Sequence, residues 1–259
     1  MIDDNVRKEI SRRIANAEKE HNIKVLYAIE SGSRAWGFAS PNSDYDVRFI
    51  YIHEKNYYLS INLEDKRDVI EYEIIDEIDI NGWDIKKALK LLLKSNPSLI
   101  EWLNSPIVYV KDNVFFEKMH NLLNKVCNTK RGIYHYRSMA LTNFYKNLRA
   151  EIVPLKKYFY VLRPLLAIQW IEKFNEIPPI EFNKLCKLLP TNSLVLKEIN
   201  LLLEQKKVSQ EKQLIEPNEV LNKFITNEFE RLTDLEKKPE KIDDSEINLS
   251  NEIFRALLD

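Results

Sequence analysis

Hydrophobic residues recur with two different periods along the first 110 residues. Over 3–20, the apolar positions Val6, Ile10, Ile14 and Ala17 lie three or four residues apart, which predicts a helix with one buried face. Short runs rich in β-branched and aromatic residues follow, and such runs are typical of strands. They predict strands over 24–30, 46–52, 68–75, 77–80 and 107–110.

Two polar signals punctuate the second half of this region. Asn81-Gly82 is a dipeptide typical of turns, and Asp84 is a residue type that caps helices. The apolar positions between Ile85 and Leu93 have helical spacing, and Asn96-Pro97 ends that pattern. The sequence therefore predicts an N-terminal α+β unit with a small mixed sheet and flanking helices.

After residue 111 the pattern predicts helices only. The predicted segments are 114–126, 132–150, 154–174, 179–189, 193–206, 218–232 and 245–257, and Pro164 predicts a kink or break in the third. We found no internal repeat. The sequence thus predicts an α+β fold with two domains, 1–110 and an all-helical 111–259.

Glycine is scarce, and this directs attention to one segment. The chain has only four glycines among 259 residues, where average usage would give about eighteen. A chain so sparing of glycine is expected to keep it where the backbone requires it. Gly32 and Gly37 lie within six residues of each other.

Charge and cysteine content exclude some classes of protein. The formal net charge of −1 does not indicate a general affinity for nucleic acid or membranes. Residues 129–173 are the exception, with nine Lys/Arg and only two Glu. Two cysteines cannot form a disulfide framework, no apolar signal segment opens the chain, and no apolar run is long enough to cross a bilayer. We expect a soluble cytoplasmic protein.

The segment from Gly32 to Asp46 carries the candidate chemistry. Gly32-Ser33 follows a predicted strand and opens a short helix, so its backbone amides and hydroxyl are suited to a phosphate. Asp44 and Asp46 begin the next strand, where positions i and i+2 share one face. Two adjacent carboxylates repel each other, and Mg²⁺ bound with substrate phosphates is the usual compensation.

This block resembles the nucleotidyltransferases of the DNA polymerase β superfamily. The segments SGSRAWGFASPNSDYDVRFIY, INGWDIKKALKLLLKSNPSLIEWLNSP and KKYFYVLRPLLAIQWIE are similar to predicted bacterial and phage nucleotidyltransferases linked to RNA repair, a family that includes RNA-ligase-associated polymerases. The resemblance extends over about residues 24–175.

The resemblance implies a fold, a reaction and a set of site residues. It implies a polymerase-β-type catalytic domain that moves a nucleoside monophosphate from an NTP to an acceptor hydroxyl with two Mg²⁺ or Mn²⁺ ions. Asp44 and Asp46 would bind both ions, and Asp79, or in reserve Glu71, would be the third carboxylate. From the residues themselves, Gly32, Ser33 and Arg34 are expected at the nucleotide, and Lys157 is expected there because it lies in the basic segment 129–173.

Several alternatives stay open at this stage. Arg34 and Arg48 suit either phosphates or ion pairs with Glu30 and the aspartates. The basic residues around Lys157 suit either solvent or nucleic acid, since tyrosines are interleaved with them. An RNA 3′ end is the first expectation for the acceptor. A protein or small-molecule hydroxyl is the second, and a catalytically silent module that binds RNA or protein is an alternative of another class.

Overall fold

The structure, a computed structural model, describes residues 2–208, 213–233 and 241–258. Its strands are β1 Ile23–Glu30, β2 Tyr45–His53, β3 Val69–Glu71, β4 Ile78–Asp84, β5 Val108–Lys111, β6 Val153–Pro154 and β7 Leu214–Ile215. Its helices are α1 Asp4–His21, α2 Gly32–Trp36, α3 Lys55–Tyr58, α4 Ile85–Leu93, α5 Pro97–Leu103, α6 Asn113–Val126, α7 Thr129–Asn147, α8 Leu155–Phe174, α9 Phe182–Cys186, α10 Leu194–Val208, α11 Glu219–Arg231 and α12 Asp244–Leu258.

The described chain divides into two compact units. The sheet unit consists of Met1–Ala35, Asp44–Cys127 and Ile242–Asp259, and the helical unit consists of Trp36–Ser43 and Asn128–Lys241. The boundary predicted at residue 110 therefore differs from this division. Helices α6 and α12 belong to the sheet unit, and eight residues between Ala35 and Asp44 belong to the helical unit.

Five strands form the mixed sheet that the α+β pattern predicted. Their order is β3-β4-β2-β1-β5, with β2 and β4 parallel and the other neighbours antiparallel. The buried side chains of α1 pack on one face against the alternate residues Val47 and Phe49 of β2. On the other face, Tyr27 of β1 contacts Phe115 and Phe116 of α6. The sheet is therefore covered on both sides.

The structure corrects the prediction for residues 68–84. Asn81 and Gly82, predicted as a turn, lie inside β4, and the turn is at Asp76-Glu77, both with positive φ. The strand predicted over 68–75 shortens to β3. Gly82 is in the strand because it pairs with Phe49 of β2 and Ile70 of β3. The Phe49 ring leaves no room for a side chain there: a Cβ at this position would stand 2.2 Å from Phe49 Cε2. Asp84 does cap α4, accepting from the Lys86 amide.

The helical unit is built around α8. Most of this helix is buried, including Tyr158, Phe159 and Leu162. Pro164 lies inside it without breaking it, so of the two predicted alternatives, a kink or a break, the break is wrong. The prediction of helices alone also needs correction, since β6 and β7 form a two-stranded sheet. These strands are two residues long, which is too short for an alternating pattern to be visible.

Other properties of the described chain agree with the composition. No disulfide joins Cys127 and Cys186. None of the helices in the described ranges is both long and apolar enough to cross a membrane.

The contrast between Gly82 and Gly132 gives a test of the packing. We expect Gly82→Ala to lower the free energy of unfolding by about 1–3 kcal/mol, because its methyl group would overlap the Phe49 ring. Gly132→Ala should raise it by about 0.5–1 kcal/mol, because Gly132 lies in α7 and its new Cβ would stand 3.7 Å from Ile171 Cδ1, an ordinary contact. Urea unfolding followed by circular dichroism measures both. Equal effects would contradict the packing described for Gly82.

Candidate active site

Asp46 and Asp79 lie opposite each other on neighbouring parallel strands. The register pairs Asp46 of β2 with Asp79 of β4, one residue into each strand. Paired residues project to the same face of a sheet, so both carboxylates leave the same side at the same end. Their side chains are 26% and 20% exposed, and the pair is therefore partly shielded but still open to solvent.

The guanidinium of Arg48 bridges the two carboxylates. Its Nη2 donates to Asp46 Oδ1 at 3.2 Å and to Asp79 Oδ2 at 2.7 Å. Nη1 donates to the carbonyls of Val47 and Asp79, both at 2.9 Å. Of the two alternatives considered for Arg48, the structure shows ion pairs with aspartates.

Gly32 makes room for the Asp46 carboxylate. Its φ of +58° lies in the left-handed region, and a Cβ would stand 1.9 Å from Asp46 Oδ2. The neighbouring amide of Ser31 donates to the Asp46 carbonyl at 2.8 Å. A side chain at position 32 is therefore excluded both by backbone conformation and by space.

Glu30 lies fully buried behind Asp46. Its Oε1 accepts from the Asp46 amide at 3.0 Å, and its Oε2 accepts from the Tyr109 hydroxyl at 2.6 Å. Burial raises the pKa of Glu30 to about 7, although both hydrogen bonds act in the opposite direction. A titratable carboxyl thus supports the backbone of the strand that carries Asp46.

Asp44, Arg34 and Ser33 are the remaining candidate residues of the glycine–aspartate block, the segment from Gly32 to Asp46. Asp44 immediately precedes β2, and its carbonyl accepts from Arg34 Nε at 3.2 Å. The Arg34 guanidinium lies over the Tyr45 ring, 3.8 Å from its centroid. Ser33 is buried in the first turn of α2. Arg34 therefore contacts the segment that joins the two aspartates.

Asp79 and Glu71 differ sharply in their surroundings. Asp79 pairs with Asp46 and also accepts from Asn81 Nδ2 at 2.6 Å. Glu71 pairs with Asn81 in the register, but its side chain is 61% exposed and forms an ion pair with Arg67. The carboxylate that shares a cation with Asp46 is therefore Asp79, and this favours it over Glu71.

The carboxylate pair of Asp46 and Asp79 suits a hard divalent cation whose remaining coordination positions are filled by substrate and water. No three His, Cys, Asp or Glu side chains are grouped closely enough to hold a metal ion in the parts of the chain that the structure describes. Mg²⁺, however, usually takes only one or two protein carboxylates and fills its other positions with water and substrate phosphates. Asp46 and Asp79 already converge on one cation, that of Arg48, and a glycine opens the space beside Asp46. These donors fit Mg²⁺.

Lys157 lies in the helical unit, on α8. It is half-buried, and its ammonium stands 4.6 Å from the centroid of the Tyr160 ring. Burial, followed by the charges of Lys156 and Lys146, lowers the pKa of Lys157. The positive charges of Lys146, Lys156 and Lys157 therefore repel one another, and an anionic ligand would reduce this repulsion.

Sequence reasoning missed the roles of Glu30, Tyr109 and Asn81. A signal existed for Glu30, since it ends an apolar strand in which no other acidic residue occurs. Tyr109 carried no such signal, because its partner Glu30 is distant in sequence. Asn81 lies only two residues from its partner Asp79, but its role was hidden because Asn81-Gly82 is a dipeptide typical of turns.

Comparison with known proteins gives three findings. The family model described as "RNA repair pathway DNA polymerase beta family" matches residues 6–256. A Bacillus subtilis (strain 168) protein, YcgL, described as uncharacterized, is 43% identical over 255 residues, which covers 98% of this chain and 95% of that protein. A solved structure of a nucleotidyltransferase-like protein from Exiguobacterium sibiricum 255-15 aligns over 96% of this chain and 89% of its own, at 12% identity and a TM-score of 0.32.

The buried Glu30 predicts a pH dependence of stability. Its folded-state pKa is raised from 4.5 to about 7, so the folded chain binds the extra proton between these values and loses stability as the pH rises through them. From pH 5 to pH 8 we expect the wild-type free energy of unfolding to fall by roughly 2–3 kcal/mol relative to that of Glu30→Gln. Urea unfolding of both proteins at the two pH values measures this. Parallel pH dependence of the two proteins would contradict it.

Two glycines with positive φ allow the space beside Asp46 to be tested. Gly37 has φ +85°, but nothing lies within 4 Å of its Cβ position. Gly37→Ala should therefore cost only the left-handed conformation, about 1–2 kcal/mol. Gly32→Ala carries the same strain and also displaces the Asp46 carboxylate from Arg48, so we expect a larger loss in urea unfolding. A loss no larger than that of Gly37→Ala would refute the close approach.

Proposed function

The chain belongs to the RNA repair pathway DNA polymerase beta family, and from this premise we propose that it transfers a nucleoside monophosphate from an NTP to an acceptor hydroxyl. Family membership makes it a nucleotidyltransferase of the polymerase β type. In the proposed reaction the acceptor oxygen bonds to the α-phosphorus, and the bond from that phosphorus to the bridging oxygen breaks. Pyrophosphate leaves, and the hydroxyl proton passes to a carboxylate or to water.

The observation that carries this proposal is the pairing of Asp46 with Asp79. Two carboxylates converge at one end of a sheet, directly beside a glycine whose missing side chain leaves space for one of them. Such an arrangement costs electrostatic repulsion unless positive charge lies between the carboxylates, as the Arg48 guanidinium does here. The same carboxylates are suited to holding positive charge at a reacting phosphate, and this supports the proposal.

Asp44, Asp46 and Asp79 are the residues proposed to hold two Mg²⁺ ions, or Mn²⁺ in their place. Of the three, Asp46 and Asp79 converge on Arg48, and Asp44 would have to join them when the ions bind. When bound, these ions would neutralise charge on the triphosphate and favour loss of the acceptor proton. Hydrogen bonds from Asn81 and Arg48 orient Asp79, and the Glu30–Asp46 hydrogen bond fixes the backbone of the other strand. These contacts support the proposed roles of Asp46 and Asp79, because they orient both residues before a ligand binds.

The phosphates of the NTP are assigned to the turn after β1. The Ser33 hydroxyl and the amides of Gly32 and Ser33 are the donors proposed for them, with Arg34 beside Asp44 as an additional positive charge. Lys157, in the helical unit, is proposed to bind phosphate, because the charges of Lys156 and Lys146 act on it and an anion would offset their repulsion.

An RNA 3′ end is the acceptor that we propose. The family description refers to RNA repair, and the helical unit presents cations beside aromatic rings, as in Arg149 over Tyr145 and Lys157 over Tyr160. Aromatic rings with adjacent cations are suited to bases and phosphates of single-stranded RNA. A cytoplasmic location, where NTPs and RNA occur together, is proposed on the same basis.

Transfer of label from each of four α-³²P-NTPs, with Mg²⁺ or Mn²⁺, into cellular RNA and protein tests the proposal. We expect nuclease-sensitive label from wild type and a loss of at least about 100-fold in Asp46→Asn, because transition-state charge is no longer compensated. The ion pair of Asp46 is partly exposed, so its loss should cost only about 1 kcal/mol of stability.

Matched variants separate the possible outcomes. Asp68→Asn, at an exposed ion pair with Lys87, and Gly37→Ala should retain transfer, whereas Gly32→Ala and Asp79→Asn should not. Activity lost in Glu71→Gln but kept in Asp79→Asn would reverse the choice of third carboxylate. Protease-sensitive label would indicate a protein acceptor. Absence of both label and pyrophosphate release with a metabolite extract would indicate a silent binding module.

A further inference from the structure

Arg48 is held by four hydrogen bonds, and they divide between two kinds of partner. The two donated by Nη1 go to backbone carbonyls, of Val47 and Asp79. The two donated by Nη2 go to the carboxylates of Asp46 and Asp79. One side of the guanidinium is therefore attached to the sheet, and the other occupies the space between the carboxylates.

This guanidinium is a permanent charge in a shielded place. Its side chain is only 17% exposed, and an arginine does not lose its proton in proteins. Because the backbone carbonyls belong to β2 and β4 themselves, the cation is fixed relative to both strands. The carboxylates are consequently neutralised in part and oriented before any ligand arrives.

We propose that Arg48 is a positioning residue and an internal counter-ion that competes with a divalent cation for Asp46 and Asp79. The inference rests on the proposed function, in which these carboxylates hold Mg²⁺. A divalent cation must share or take over the oxygens that Nη2 contacts, and it meets the repulsion of a fixed positive charge. Arg48 thus weakens the binding of a free metal ion to the protein. A metal ion bound to triphosphate still binds tightly, because the negative charge of the triphosphate offsets that repulsion.

Mn²⁺ binding without nucleotide tests this competition. We expect Arg48→Met, which keeps much of the side-chain volume and removes the charge, to bind Mn²⁺ at least about tenfold more tightly than wild type, measured by electron paramagnetic resonance of unbound Mn²⁺. Arg67→Met is the matched control, since Arg67 pairs with Glu71 on the exposed edge strand and contacts neither aspartate. It should leave the affinity unchanged.

The conservative variant separates charge from geometry. Arg48→Lys keeps the positive charge but cannot bridge two carbonyls and two carboxylates at once. Its Mn²⁺ affinity should therefore stay within about threefold of wild type, while nucleotidyl transfer falls by about tenfold because Asp79 is less well oriented. Unchanged or weaker Mn²⁺ binding in Arg48→Met would overturn the proposal.

A second measurement covers the case in which Arg48→Met does not fold. In EDTA, the midpoint of thermal unfolding of Asp79→Asn should be lower than that of wild type, because the variant loses an ion pair with Arg48. A raised midpoint would show that the carboxylates chiefly repel each other and would also overturn the proposal. None of these metal-binding and stability readouts requires turnover, so an inactive wild type would count against the proposed function without affecting the inference on Arg48.

Discussion

The pairing of Asp46 with Asp79 is the constraint on which the rest of the site depends. Two like charges at the same rung of parallel strands repel each other by on the order of a few kcal/mol at an effective dielectric constant near 20. The surrounding residues reduce this cost: Arg48 supplies a cation, Asn81 donates to Asp79, and Gly32 opens space for Asp46. The two carboxylates therefore explain why a cation, an amide donor and a glycine occur at these three positions.

Glu30 extends the same constraint into the core. A charged carboxylate there would face burial and a second negative charge, and its raised pKa reflects the first of these above all. Tyr109 and the Asp46 amide nevertheless hold both of its oxygens. The core of this sheet therefore gives up some stability near neutral pH to fix the strand that carries Asp46.

Sequence patterns predicted the parts of the fold that depend on local periodicity. They predicted α1, the two strands around the glycine–aspartate block and the cap of α4, because each is determined by residues adjacent in the chain. They failed at Asn81-Gly82, where a dipeptide typical of turns is held in a strand by pairing with β2 on one side and β3 on the other. They left open whether Arg48 binds phosphates or aspartates, because its partner Asp79 on β4 can be identified only from the strand register.

The interruption of the sheet unit by Trp36–Ser43 has a consequence for how this family can vary. Phe38 packs on Phe159 and Phe182 in the core of the helical unit, with ring centroids 4.8 and 5.6 Å away. Loops between secondary-structure elements usually tolerate insertions and deletions. Here a single inserted residue would pull Phe38 from its packing or displace Asp44 from its place before β2, so the spacing between glycine and aspartates is restricted by burial as well as by chemistry. Insertions and deletions among relatives should therefore occur mainly outside residues 32–46.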